Sequence, residues 1–318
     1  MLEVKNLCVN YQQKDKTLTA LHNVSFALER GEILGVVGES GCGKTTLMFS
    51  LLRLLPQAGR ITGGQVLYEG KDILKLDDAV MAELRWDEIS IVFQGAMNAL
   101  NPVRTVGEQI AEAIRRHEQD KSKTFVNKRI DELLELVGIA KNRRDQYPHQ
   151  YSGGMRQRAM MAMALACYPK IIIADEPTTA LDVMIQAQIL ELLVDLRDKL
   201  GLAVILVTHD LGVVAELCDS VLVLYAGVTA EYADVDTLFN APQHPYTQKL
   251  LAAFPSLENP KALESIPGYP PRLDNLPKGC RFAPRCHKAF ERCQTELPKL
   301  YQVNPWQYSS CFLVNQGK

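Results

Sequence analysis

Hydrophobic and polar positions are patterned in three ways along this chain. Near its start, Leu2, Val4, Leu7 and Val9 are separated by polar residues, and Val24, Phe26 and Leu28 alternate again. Such alternation predicts strands with one buried face, and residues 63–70 read as another, bounded by turn residues. Elsewhere apolar residues run together: Ile33 to Val37, Ile89 to Phe93, Ile171 to Ala174, Ala203 to Thr208 and Val221 to Tyr225. Short unalternating runs predict strands covered on both faces, as in a parallel sheet. Helical spacing lies between them, at Ile110, Ala113 and Ile114 within 107–117, and at Ile130, Leu133, Leu134 and Val137 within 125–137. Ser152 caps a long helix that runs to about Cys167, where Pro169 closes it, and residues 183–199 read as a further helix. This alternation of strand and helix predicts an α/β fold around a parallel sheet.

After Ala241 the texture changes. Prolines at 242, 245, 255, 260, 267, 270, 271 and 277 are expected to interrupt regular structure. The expected organisation is a main domain over 1–240, with a helical subdomain at about 95–165. A Pro-rich linker over 241–275 and a Cys-bearing extension over 276–318 follow. That tail is too short for a core of its own, so it needs a staple or a host surface.

Candidate chemistry begins where the strand at 33–37 ends. Gly38-Glu39-Ser40-Gly41-Cys42-Gly43-Lys44-Thr45-Thr46 has the form G-x-x-x-x-G-K-T, a phosphate-binding loop between a strand and a helix. Its glycines let backbone N–H groups turn toward an anion, and the helix start adds the positive end of its dipole. Lys44 offers charge to β- and γ-phosphates, and Thr45 a hydroxyl to Mg²⁺. The strand at 171–174 ends in Asp175-Glu176. Asp175 is placed to hold the Mg²⁺ shell and Glu176 to polarise an attacking water. Ser152-Gly153-Gly154 opens a helix and forms a second anion-binding N-terminus, which one phosphate loop does not need.

Composition narrows the class. The chain has 318 residues and a net charge of −2, which gives no broad nucleic-acid footprint. Its longest apolar run, Ala159 to Tyr168, falls short of the roughly 18 residues a membrane span needs. Met1-Leu2-Glu3-Val4-Lys5 has no basic leader before an apolar core, so a cytoplasmic location is expected. Of eight cysteines, Cys280, Cys286, Cys293 and Cys311 crowd the end in the spacing C-x5-C-x6-C-x17-C. In a reducing compartment that points to a metal site before disulfides, though the tight pairs of a structural zinc site are missing. An iron–sulfur cluster, zinc and free thiols all remain open.

Taken together, the phosphate loop, the Ser152-Gly153-Gly154 helix start and the Asp175-Glu176 strand end resemble the ATP-binding cassette (ABC) ATPases, in order over about residues 1–240. The resemblance implies a P-loop fold in which ATP lies between the phosphate loop of one subunit and the Ser-Gly-Gly helix of another. It implies that Tyr11 stacks on adenine and that Gln94 touches Mg²⁺ and the water beside a membrane partner. It implies that Ala180-Leu181-Asp182 crosses to the partner ATPase and that His209 is a switch near the γ-phosphate. Cys42 stands where serine is common, and Tyr151 and Met155 flank Ser152–Gly154 in place of leucine and glutamine; no group the chemistry needs is lost.

The runs Gln94 to Val103 and Asp175 to Val183, with His244-Pro245-Tyr246-Thr247, Ile266-Pro267-Gly268, Leu276 to Cys280 and Pro284-Arg285-Cys286, are similar to ATPases of dipeptide and oligopeptide importers. That branch implies ATP and Mg²⁺ as cofactors and a [4Fe–4S] cluster on the four tail cysteines, with zinc as the alternative. It also implies a homologous ATPase partner, two integral membrane permeases, an indirect solute-binding protein, and a place on the cytoplasmic face of the membrane. Nickel or short oligosaccharides remain open as cargo, and a non-transport ABC ATPase as the other class.

Overall fold

The computed structural model describes residues 1–14, 16–93, 99–253 and 266–315. The chain forms two compact units, one of Met1–Glu29, Ile33–Lys75 and Thr208–Lys318, the other of Arg30–Glu32 and Leu76–Val207.

The first unit begins with β1 (Leu2–Gln13), β2 (Lys16–Leu28), β3 (Ile33–Val37), α1 (Lys44–Leu51), β4 (Gly59–Tyr68) and β5 (Lys71–Asp72). Four of these strands form an antiparallel sheet in the order β2-β1-β4-β5. In β1, Leu2 and Val4 are buried while Glu3 and Lys5 are exposed. The register then shifts between Val4 and Leu7, where Asn6 takes φ +49°. An inserted residue of this kind flips the alternation, which is why Leu7 and not Asn6 is the next core position.

The second unit carries α2 (Asp78–Asp87), β6 (Ile89–Val92), α3 (Val106–His117), α4 (Lys123–Leu136), α5 (Gly153–Ala164), β7 (Ile171–Asp175), α6 (Val183–Leu200) and β8 (Ala203–Val207). Strands β6, β7 and β8 are parallel neighbours. All five residues of β7 and of β8 are buried, as their unbroken apolar runs predict. Helix starts follow local side chains. Thr105 and Glu108 form a reciprocal capping box on α3, and Ser122 caps α4.

The chain then returns to the first unit with α7 (Leu211–Leu217), β9 (Ser220–Tyr225), β10 (Val228–Asp234), α8 (Val235–Asn240), α9 (Pro245–Ala252), α10 (Glu291–Thr295), β11 (Tyr301–Asn304) and β12 (Gln307–Ser309). The strand order here is β11-β12-β10-β9-β3, with β3 and β9 parallel. The stretch expected to be an unstructured proline linker contains the helix α9. Pro245 is its first residue, where a missing N–H costs nothing and a fixed φ suits the helix. His244 caps it by accepting the Tyr246 N–H at Nδ1 (3.0 Å).

The tail uses a host surface. Its strand β12 pairs with β10, and Gln307 Nε2 donates to the fully buried Glu231 Oε1 at 2.8 Å. Glu231 also accepts the N–H groups of Gln243 (2.8 Å) and His244 (2.9 Å). Burial pushes its carboxyl above the usual range, against the pull of those donors.

Burial lowers the His244 imidazole to about 4. Between the unfolded value near ~6.5 and that folded value, the unfolded chain takes up a proton that the folded chain refuses. Stability is therefore present above this window and falls as pH drops through it. We expect a loss of about 2 kcal/mol at pH ~4.5 from this group. His244→Asn keeps a capping side chain and cannot titrate. Urea unfolding of the variant should be less steeply dependent on pH between about 6.5 and 4. An unchanged slope would assign the acid sensitivity to other groups.

Candidate functional site

The phosphate loop joins β3 to α1. Gly38 sits at φ +147°, and a Cβ there would overlap the Leu224 carbonyl oxygen of β9 and lie 2.8 Å from Cys42 Sγ. Gly43 is the N-cap of α1 at φ +111°, a region open to glycine. The Lys44 ammonium is buried over the loop, donating to the carbonyls of Gly38 (2.6 Å) and Glu39 (3.3 Å). It is thus aimed into the curl and does not reach out to solvent. Thr45 is exposed, and Ser40 and Gly41 form the exposed crest of the loop. Cys42 is buried, its carbonyl accepts from Gly227 N–H (2.8 Å), and burial raises its thiol. Cys42 is therefore a packed, protonated wall of the loop.

Two sequence-assigned residues lie in the first unit with this loop, and Tyr11 touches it. Tyr11 of β1 places its hydroxyl 3.3 Å from Thr46 Oγ1 on α1. His209 is exposed and follows Thr208, whose N–H donates to Val36 of β3 (3.3 Å). The Asp210 carboxylate then caps α7.

The second unit holds the other residues. Asp175 is the buried last residue of β7. Glu176 follows at φ +46°, its N–H donating to the Val207 carbonyl (2.9 Å) and its Oε2 accepting from Thr179 Oγ1 (2.9 Å). A left-handed glutamate is a strained conformation of the kind that collects at functional sites. Ser152 is exposed and caps α5 by accepting the Met155 N–H (3.3 Å). Gly153 begins that helix. Gly154 is buried, and a Cβ there would lie 2.6 Å from Ile185 Cγ2. The second glycine thus permits close approach of α5 and α6, a packing reason that spacing does not reveal. Asp182 caps α6 through Ile185 N–H (3.0 Å), and the next two residues, Val183 (79% exposed) and Met184 (72%), stand in solvent. Because Gly154 lies against Ile185, Ser152, Gly153, Asp182, Val183 and Met184 share one edge of this unit, where all but the half-buried Gly153 are exposed. Gln94 lies outside the described residues.

The four tail cysteines are free thiols. Cys280 N–H donates to the Cys293 carbonyl (2.8 Å), and Ala283 and Cys286 follow in successive turns (3.0 and 3.2 Å). Cys293 is buried with Ala283 and Phe312, and Cys280 packs against that group. Cys280 lies within electrostatic reach of Cys293 and Cys311, and Cys311 of Cys286 and Cys293, so the four converge on one neighbourhood. Burial pushes Cys280 up to about 11 and raises Cys286 and Cys311. Among the described residues, the acid, His and Cys group close enough to share one ion is elsewhere, at Asp87, His117 and Cys167. There His117 Nδ1 pairs with Asp87 (3.1 Å), and the Cys167 thiol, pushed up to about 12 by burial, donates to the Ala113 carbonyl. These groups satisfy one another and read as structural.

Among the described residues no helix is long and apolar enough to cross a membrane. Comparison with known proteins gives a consistent result. The family described as ABC transporter matches residues 21–179, and the one described as oligopeptide/dipeptide transporter, C-terminal region, matches residues 230–293. The chain is 46% identical to the oligopeptide transport ATP-binding protein OppD of Haemophilus influenzae, over 98% of this chain and 97% of that one. It is 48% identical to the dipeptide transport ATP-binding protein DppD of Bacillus subtilis, over 99% and 95%. Among solved structures, the dimeric bacterial ABC transporter cassette MJ0796 superimposes with TM-score 0.66 at 31% identity, over 74% of this chain and 99% of that one. The same cassette is also known as a dimer in a post-hydrolysis state bound to ADP and Pi.

Proposed function

This chain belongs to the ABC transporter family as an ATP-hydrolysing subunit of an oligopeptide or dipeptide importer, and from that premise we propose how its residues divide the work. Lys44 and the loop Gly38–Thr46 take the phosphates, Tyr11 the adenine, and Thr45, Asp175 and Gln94 the Mg²⁺ shell. Glu176 polarises the attacking water, and His209 senses the γ-phosphate. The observation that carries this reading is the Lys44 ammonium folded into a glycine-strained curl at the end of a buried parallel strand.

A second chain completes the site. Ser152, Gly153 and Asp182 are helix-start residues on one exposed edge, beside apolar side chains that stand in solvent. Such an edge suits a partner cassette whose bound triphosphate receives the α5 N-terminus. ATP then acts as glue for closure, and hydrolysis permits reopening. The partner is read as a homologous ATPase subunit, and closure is transmitted to two permeases from the cytoplasmic face. The test is reconstitution with the permeases in vesicles. Peptide delivered by a binding protein should stimulate ATP hydrolysis, while nickel or an oligosaccharide in its place should not.

The tail cysteines fit a shared metal group. Burial holds Cys280, Cys286 and Cys311 as thiols that metal binding would deprotonate, and among the described residues the four cysteines fall outside the close spacing of a single-ion site. Four thiolates spread over four irons stand farther apart than four on one zinc, which favours [4Fe–4S]. Bound there, the group would tie a short, Pro-rich tail together. Protein purified without oxygen should be brown and carry about four irons per chain, and Cys293→Ser should lose that colour. A colourless, iron-free chain would remove the cluster.

A further inference from the structure

The motif Pro284-Arg285-Cys286 leads to the phosphate loop. Arg285 lies 246 positions from Glu39, yet its guanidinium grips the Glu39 carboxylate at two points, Nη1 to Oε2 at 2.6 Å and Nη2 to Oε1 at 3.0 Å. The Arg285 side chain is 5% exposed and that of Glu39 26%. The guanidinium is itself clamped. Its Nε donates to the Pro267 carbonyl (2.7 Å), Nη1 to the Tyr225 hydroxyl (3.2 Å), and Nη2 to the carbonyls of Gly268 (3.3 Å) and Ile266 (3.4 Å).

Glu39 is held at its other groups too. Its N–H donates to Tyr246 Oη (3.0 Å), and its carbonyl accepts from Lys44 Nζ (3.3 Å). Tyr246 and Tyr225 pack on each other and on Phe282 of the tail. The second residue of the loop is therefore fixed through its side chain, its donor and its acceptor, and most of these holds come from the C-terminal third of the chain.

We propose that Arg285 is a positioning residue for nucleotide binding, through which the C-terminal segment neutralises and fixes Glu39 at the rim of the phosphate site. This rests on the reading of Gly38–Thr46 as that site. The chemistry is direct. An unpaired Glu39 carboxylate beside a triphosphate repels it, and a released Glu39 frees the backbone whose N–H groups must point at the phosphates. A two-point guanidinium–carboxylate pair removes both penalties, and a lysine would supply the charge without the fork.

The test is a pair of substitutions in the full chain, read by titration with a fluorescent ATP analogue and by turnover in the assembled importer. Arg285→Ala should weaken nucleotide binding and raise KM for ATP about tenfold, with kcat at saturating ATP within about twofold of the parent. Glu39→Gln alone should raise KM less than Arg285→Ala does, because the amide carries no charge to repel the triphosphate. Adding Glu39→Gln to Arg285→Ala should recover the part of the lost affinity that the unpaired charge costs, a rescue that a merely structural role for Arg285 does not give.

Arg285→Lys should fall between Ala and the parent, and it carries the same comparison, with and without Glu39→Gln, if Arg285→Ala fails to fold. Parental affinity in Arg285→Ala, or a double variant as weak as Arg285→Ala, would overturn the proposal. Lys44→Ala separates the two levels. If it abolishes binding while Arg285→Ala keeps parental affinity, this inference alone fails. If it too binds normally, the phosphate-loop reading fails with it.

Discussion

Glu176→Gln is expected to lower ATP turnover by about 10²–10⁴-fold while leaving ATP binding intact. The side chains have the same shape, so the Thr179 hydroxyl keeps an acceptor and the backbone keeps its bond to the Val207 carbonyl. What is lost is the negative charge that we propose polarises the attacking water. Because the backbone here is already at φ +46°, the conservative amide is the informative change. ATP should then persist, and the ATP-closed pair of cassettes should accumulate, visible by gel filtration as a larger species that Mg-ATP induces and ADP does not. Near-parental hydrolysis would sink the role assigned to Glu176.

The loop glycines should differ sharply from one another. Gly38→Ala drives a Cβ into the Leu224 carbonyl of β9, a strand paired with β3 and β10 that cannot yield cheaply. We expect nucleotide binding to weaken more than about 100-fold and the fold to lose roughly 2–4 kcal/mol. Gly41→Ala meets nothing within 4 Å and carries only the strain of φ +77°. Its cost should be about 1–2 kcal/mol, and its loss of affinity about tenfold or less. Titration with ATP beside urea unfolding would measure both. Equal behaviour of the two variants would mean that the loop does not curl under Leu224 in this way.

Much of this was legible along the chain. The unbroken runs at 33–37, 171–174 and 203–208 became buried parallel strands, and Ser152 became a helix cap. The loop motif singled out Lys44, and the structure buries its ammonium against the Gly38 and Glu39 carbonyls. The tail was less legible. Pro245 reads as a breaker in isolation and is a helix start in place, because proline is tolerated at the first helical position and nowhere deeper. Strand β10 was hidden because Glu231 interrupts its pattern. A carboxylate is buried there only because three donors from 243, 244 and 307 come to meet it.

Residue order by itself determined the periodicities, the caps and the Gly-rich loop motif, since each depends on side chains a few positions apart. Tertiary structure alone decided why Gly154 has no side chain, where the tail docks, and that Arg285 holds Glu39. These are matters of through-space approach between residues distant along the chain. No local pattern of apolar and polar positions encodes which distant partner fills a gap or neutralises a charge.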